Sequence, residues 1–272
     1  VSNAEYQQVA LSFLARKYYA EDDYANSNIY YQTLEKVATY NALKRESIIR
    51  LMYGNEKTNT DLAYKYAKQV VNLDKTDDWL LSKAKIIIAR YQFAGGNYAK
   101  SKITFEKVVE MSAYDEGAEA KYHLAYLTYL DDSLVVAEKM IFELSENYSS
   151  DYFIVKAFIL LADIYVLQEN DFQAKATLES IIDNHEGEEL LNIARKKWEL
   201  IVERESLENE IKEEPQSFIE ISEEEFDYDL EEFLVEEIID EDYKVVAPDT
   251  LFELKKDSIE LIHEKIETDE IE

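Results

Sequence analysis

A small residue returns at near-constant intervals along this chain, each time just after an acidic, asparagine- or glycine-bearing turn. Ser27 follows Asp22-Asp23-Tyr24, Ala63 follows Asn59-Thr60-Asp61, and Ser101 follows Gly96-Asn97-Tyr98. Ala137 then follows Asp131-Asp132, and Ala174 follows Asn170-Asp171, so the intervals are 36, 38, 36 and 37 residues. A period of this length is one supersecondary unit that cannot bury its apolar face alone, so copies must stack on one another. Four and seven positions after each small residue come Tyr31 and Leu34, Ala67 and Val70, Phe105 and Val108, Ile141 and Leu144, and Leu178 and Ile181. Those spacings make one stripe on a helix. Earlier in the unit, Leu14-Ala15, Ile88-Ala89, Leu124-Ala125 and Leu161-Ala162 supply a matching small residue on a first helix, with Tyr18 and Tyr165 three positions on. Small side chains at both places let two helix axes approach to the usual separation of roughly 8–10 Å.

Composition agrees with helices and little else. Five glycines and two prolines in 272 residues starve the tight turns that a sandwich, barrel or doubly wound sheet needs. With 47% hydrophobic residues the chain can still bury a core. The formal charge of -30 disfavours nucleic acid and anionic lipid as partners, because the counterion release that drives such binding needs cations on the protein. The most apolar run, Phe153 to Leu167, is interrupted by Lys156 and Asp163 and falls short of the roughly 20 residues of a membrane span. There is no cysteine for a disulfide, a thiolate metal site or a nucleophile. The sequence begins at Val1, without Met or a basic-then-apolar leader, and is expected to be a processed or excised fragment.

Charge divides the chain. Residues 207–272 hold 26 acidic and 5 basic residues, against 33 and 24 in residues 1–206. The expected organisation is a helical domain over 1–206 and an acidic tail over 207–272, largely disordered or with short amphipathic helices. Between Glu188 and Glu205, Leu190, Leu191, Ala194, Trp198 and Ile201 fall on one side of a helix expected to cap the array.

Residues 4–184 resemble the tetratricopeptide repeat (TPR) family. The fifth unit carries the resemblance best, with Phe158, Leu161, Ala162, Tyr165, Ala174, Leu178 and Ile181 at the family's large and small positions. The closing proline is absent throughout, unit two lacks the aromatic of its first helix, and the turns exceed the 34-residue consensus. The resemblance implies an all-α fold: a right-handed α-solenoid of about five TPR-like helix hairpins plus the capping helix and the tail. The segments Gly117–Tyr122, Ala157–Tyr165 and Asp171–Lys175 also look like the C-terminal repeats of long bacterial cell-envelope TPR proteins. That would imply a periplasmic or outer-membrane-associated location and a larger envelope assembly.

Catalysis is not expected, since the three histidines sit in no hydrolase, metalloprotease or nucleotide-binding motif. His123, one turn after Glu119, reads as a packing or surface residue more readily than as half of a metal site. Asp227–Glu232 alternates carboxylates but lacks the glycine and the twelfth-position Glu of a calcium loop, so no metal or cofactor is expected. The family's concave groove positions correspond here to Arg16, Tyr19, Lys83, Arg90, Phe93, Tyr122, Tyr126, Tyr129 and Lys156. Aromatic faces hold peptide side chains at low entropic cost, and Arg or Lys can pair with carboxylates. The primary expectation is therefore a non-enzymatic scaffold presenting this groove to a protein or peptide. In a second reading the solenoid is a spacer and Phe226, Leu230, Phe233 and Leu234 of the acidic tail dock on a partner as an amphipathic helix. A carboxylate-based glycan-active enzyme is the third and weakest.

Overall fold

A computed structural model describes residues 3–213 of the protein, and among these there are eleven helices and no strand. In chain order they are α1 (Asn3–Ala20), α2 (Tyr24–Val37), α3 (Asn41–Glu56), α4 (Thr60–Val71), α5 (Asp78–Ala94) and α6 (Tyr98–Met111). There follow α7 (Asp115–Leu130), α8 (Leu134–Asn147), α9 (Asp151–Leu167), α10 (Asp171–Asn184) and α11 (Glu188–Glu213). Residues 3–91 and 98–213 belong to one packed unit, and residues 92–97, the end of α5 and its turn, are described by themselves.

The recurring small residues are where the hairpins close. Ser27, Ala63, Ser101, Ala137 and Ala174 on the second helices are buried to 1% exposure or less, as are Ala15, Ala89, Ala125 and Ala162 on the first helices. In the first hairpin the Ser27 hydroxyl donates to the Ala15 carbonyl at 3.0 Å, so the crossing is tight and its one polar group is satisfied. The residues four and seven positions on are buried as well, from Tyr31 and Leu34 to Leu178 and Ile181. The second hairpin departs from the rule, because fully buried Met52 stands where the other first helices carry alanine. There α3 instead comes close to α2 through Gly54, whose Cβ, if it had one, would lie 2.4 Å from Asn28 Oδ1.

The turns repeat too. Asp22, Gly96, Asp132 and Glu169 adopt positive φ of 56°, 71°, 56° and 58°. After each, the following N–H closes back on the first helix, from Asp23 to Tyr18 (2.9 Å), Asn97 to Gln92 (2.8 Å), Ser133 to Thr128 (3.1 Å) and Asn170 to Tyr165 (2.8 Å). This six-to-one bond satisfies carbonyls that a helix end otherwise leaves open. Asp23, Asn59 and Asn170 then cap the next helix, each side chain accepting an N–H of its first turn at 3.0–3.2 Å. The polar turn residues of the sequence thus stop one helix and start another.

Neighbouring first helices touch, α7 with α9 and α9 with α11. One core cluster joins Tyr122 and Ala125 of α7, Ile141 and Leu144 of α8, and Ala157, Leu160 and Ile164 of α9. A second joins Val155, Ile159 and Ala162 of α9 and Leu178 of α10 to Leu190, Ala194 and Ile201 of α11. The expected capping helix is present as α11 and continues beyond Glu205 to Glu213. No described helix is long and apolar enough to cross a membrane.

Candidate functional site

Nine residues on α1, α5, α7 and α9 were the expected groove. Arg16, Lys83 and Arg90 among them sit beside carboxylates of neighbouring repeats. Arg16 holds Glu46 of α3 through two bonds of 2.6 and 2.5 Å, and this holds the Glu46 carboxyl below its ordinary range. Lys83 pairs with Glu116 of α7. The Arg90 guanidinium reaches two ways, to Glu56 of α3 at 2.5 Å and to Glu119 of α7, so one side chain on α5 ties three repeats together. Glu116 and Glu119 are 5% and 4% exposed, so each needs its cation to offset the loss of water.

The aromatic members are arranged by α7. Tyr122, Tyr126 and Tyr129 form a row with ring centroids 6.4 and 6.1 Å apart. Tyr122 is buried in the α7–α9 core, and burial pushes the Tyr126 hydroxyl up to about 12 and that of Tyr129 higher still. Lys156 of α9 places its ammonium over Tyr122 at 5.4 Å and over Tyr152 at 5.7 Å. On α1, Tyr19 meets Tyr24 and Tyr31 edge-on and lies beneath the Arg50 guanidinium at 4.5 Å. Phe93, near the end of α5, is buried. The tail residues Phe226, Leu230, Phe233 and Leu234 lie outside the described residues.

His123 stacks flat on Phe105 at 4.7 Å and meets Tyr122 edge-on at 5.2 Å. Burial, with Lys156 and Arg90 nearby, pushes its pKa down to about 3, so the ring is neutral at neutral pH. Its Nε2 is 4.0 Å from Glu119, whose two oxygens both engage Arg90. Among the described residues no three His, Asp or Glu side chains converge as metal ligands. His185 caps the C-terminus of α10 and lies 3.2 Å from Asp151 at the start of α9.

Sequence reasoning named Arg16 and Arg90 but missed their partners, and it named neither Lys197 nor Arg204 as part of the site. Arg16–Glu46, Arg90–Glu56, Arg90–Glu119, Lys197–Asp163 and Arg204–Asp171 are separated by 30, 34, 29, 34 and 33 residues, close to one repeat. Opposite charges set about one period apart were the available signal. The first-helix surface is therefore charge-compensated, and what distinguishes it chemically is its rings. On the side of the second helices, a cleft of about 460 Å³ between α8, α9 and α10 is floored by Phe158, Leu161 and Ile181 and rimmed by Gln173, Thr177 and Asn184.

No family model matches this sequence. No similar sequence is found among curated proteins. Among solved structures the chain is similar to the MamA protein at 14% identity, covering 66% of this chain and 97% of that one with a TM-score of 0.49. It is similar to BtubC (BKLC) from P. vanneervenii at 17% identity, covering 80% and 96% with a TM-score of 0.44. The TPR domain of P58(IPK) is similar at 14% identity, covering 74% and 56% with a TM-score of 0.35.

Proposed function

We propose that this protein is a non-enzymatic scaffold that holds a protein or peptide segment against the side formed by its first helices. The observation that carries this reading is the α7–α9 row, in which Tyr122, Tyr126 and Tyr129 run along one helix with Lys156 over the first ring. Tyr122 is buried and anchors the row, and the half-buried Tyr126 and Tyr129 rings fixed beside it offer apolar edges at little entropic cost, which suits an extended or helical segment. Because Arg16, Lys83 and Arg90 already hold carboxylates, they set the spacing of the helices, and partner selection falls mainly to the rings. On the sequence resemblance alone we keep with this reading an envelope location and membership of a larger assembly, which fractionation of the source cell tests.

A photo-crosslinking residue placed singly at Tyr19, Tyr126 or Tyr129, in parallel at Ile103 or Phe172 on second helices, and in a third set at Phe226, Leu230, Phe233 or Leu234, tests the reading in the native source. Adducts to a common partner from the first set support it. Adducts only from the second set, or only from positions Phe226 to Leu234, overturn it and favour, respectively, the opposite side or the tail as the binding module.

A further inference from the structure

The cleft between α10 and the capping helix has no part in the row of rings on α7. Glu179, Ile182 and Asp183 stand three and four positions apart on α10, and Arg195, Trp198 and Glu199 repeat that spacing on α11, so each helix turns one face to a cleft of about 270 Å³. Ile182 and Trp198 rest on the core that α9, α10 and α11 share and give the cleft an apolar wall. The indole N–H donates to Glu179 at 2.9 Å, which fixes the plane of the ring. Three carboxylates and one guanidinium surround it. Asp183 and Glu199 are exposed and pair with no cation among the described residues, whereas close by Lys175, Lys197 and Arg204 each hold a carboxylate.

We propose that this cleft receives an arginine side chain of a partner protein, its guanidinium stacked on the Trp198 ring and its N–H edges turned to Asp183 and Glu199. A fixed indole face attracts a cation, and more strongly where apolar walls keep water away. Two open carboxylates beside that face suit the planar fork of arginine better than the compact ammonium of lysine. With Arg195 set against Glu179, Asp183 and Glu199, two negative charges remain for the ligand to meet. The chain itself does not supply this arginine. It has six: Arg16, Arg90 and Arg204 hold carboxylates, Arg45 donates to the Asp74 and Lys75 carbonyls, Arg50 lies over Tyr19, and Arg195 already lines the cleft. Residues 214–272 contain none. A second copy brings the same six, together with a charge of -30 that opposes its approach. A basic partner is drawn in by that same charge.

Trp79→Phe leaves Trp198 as the one indole of the chain, so its emission reports on the cleft. Titrating the whole chain carrying this change with the capped tripeptide acetyl-Gly-Arg-Gly-amide, and in parallel with its lysine and citrulline counterparts at equal ionic strength, tests the proposal. The expected result is a saturable change with the arginine peptide, at least about five-fold weaker with lysine and absent with citrulline. Asp183→Asn combined with Glu199→Gln should weaken the arginine peptide at least roughly ten-fold. Both side chains are exposed, so the thermal melt of that variant should match the parent. Equal binding of lysine and arginine overturns the proposal, because attraction to a diffuse negative surface then accounts for it. The absence of a saturable response, or a response that survives the double substitution, overturns it as well.

Discussion

Inside their hairpins α1–α2 and α7–α8 bury the same kind of small-residue pair, yet the seams between successive first helices are built differently along the array. From α1 to α7 ion pairs cross the seam, Arg16–Glu46, Arg90–Glu56, Arg90–Glu119 and Lys83–Glu116, on first helices that also bury Ser47, Leu51, Ala84 and Ile87. From α7 to α11 it is apolar, through two core clusters with Lys197–Asp163 as the charged addition. Packing two helices of one hairpin at close range admits few side chains, whereas the contact between hairpins is wide enough for either chemistry. The two chemistries differ in energetic sign. Removing apolar volume costs lost burial plus a cavity, while removing one member of a buried ion pair strands the other.

The largest effect should come from the apolar seam. Ile164→Ala, at a fully buried position on α9, should cost about 4 kcal/mol by urea unfolding, and a loss under about 1 kcal/mol would break the contrast drawn here. Next, Arg90→Met should cost about 3 kcal/mol by stranding Glu119 and Glu56. Joining it to Glu119→Leu should recover most of that loss, and a double variant no better than the single would mean that packing, not charge, governs the seam. A third, smaller effect depends on pH. Folded His123 stays neutral down to about 3 while the unfolded ring takes a proton near 6.5, so stability falls as pH drops below 6.5. The contribution is about 1.4 kcal/mol per pH unit, and His123→Phe should remove that part of the acid sensitivity between pH 6.5 and 5.5 in parallel melts. Smallest is Arg16→Gln. With Arg16 57% exposed, the pair should be worth under about 1 kcal/mol and should fade as salt is added.

How much of this could be read from the sequence follows from range. The hairpins were legible because Ser27, Ala137 and Ala174 with their partners four and seven positions on obey a local helical period. The turn signals were legible because Asp23, Asn59 and Asn170 act on backbone groups within three residues. The ion pairs were not, since Glu46 and Glu119 gain their meaning only from cations a full repeat away. Tyr122 shows the same limit at a single residue, because its helical register fits both a surface row and a core, and the structure gives it a share in each. Met52 was missed for a third reason. A bulky residue at a crossing is tolerable only if another contact shifts, and Gly54 against Asn28 is visible in space alone.

The recurring turns carry one more consequence. Of the five left-handed positions among the described residues, three in the hairpin turns, Asp22, Asp132 and Glu169, are occupied by acidic residues that pay about 1 kcal/mol for a geometry glycine adopts freely. All three are exposed and lie at hairpin tips. The array therefore holds unspent stability at its edges, and a sturdier version of the same scaffold is within reach of changes at Asp132 and Glu169, whereas Asp22 also accepts the Tyr24 hydroxyl of α2 at 2.7 Å.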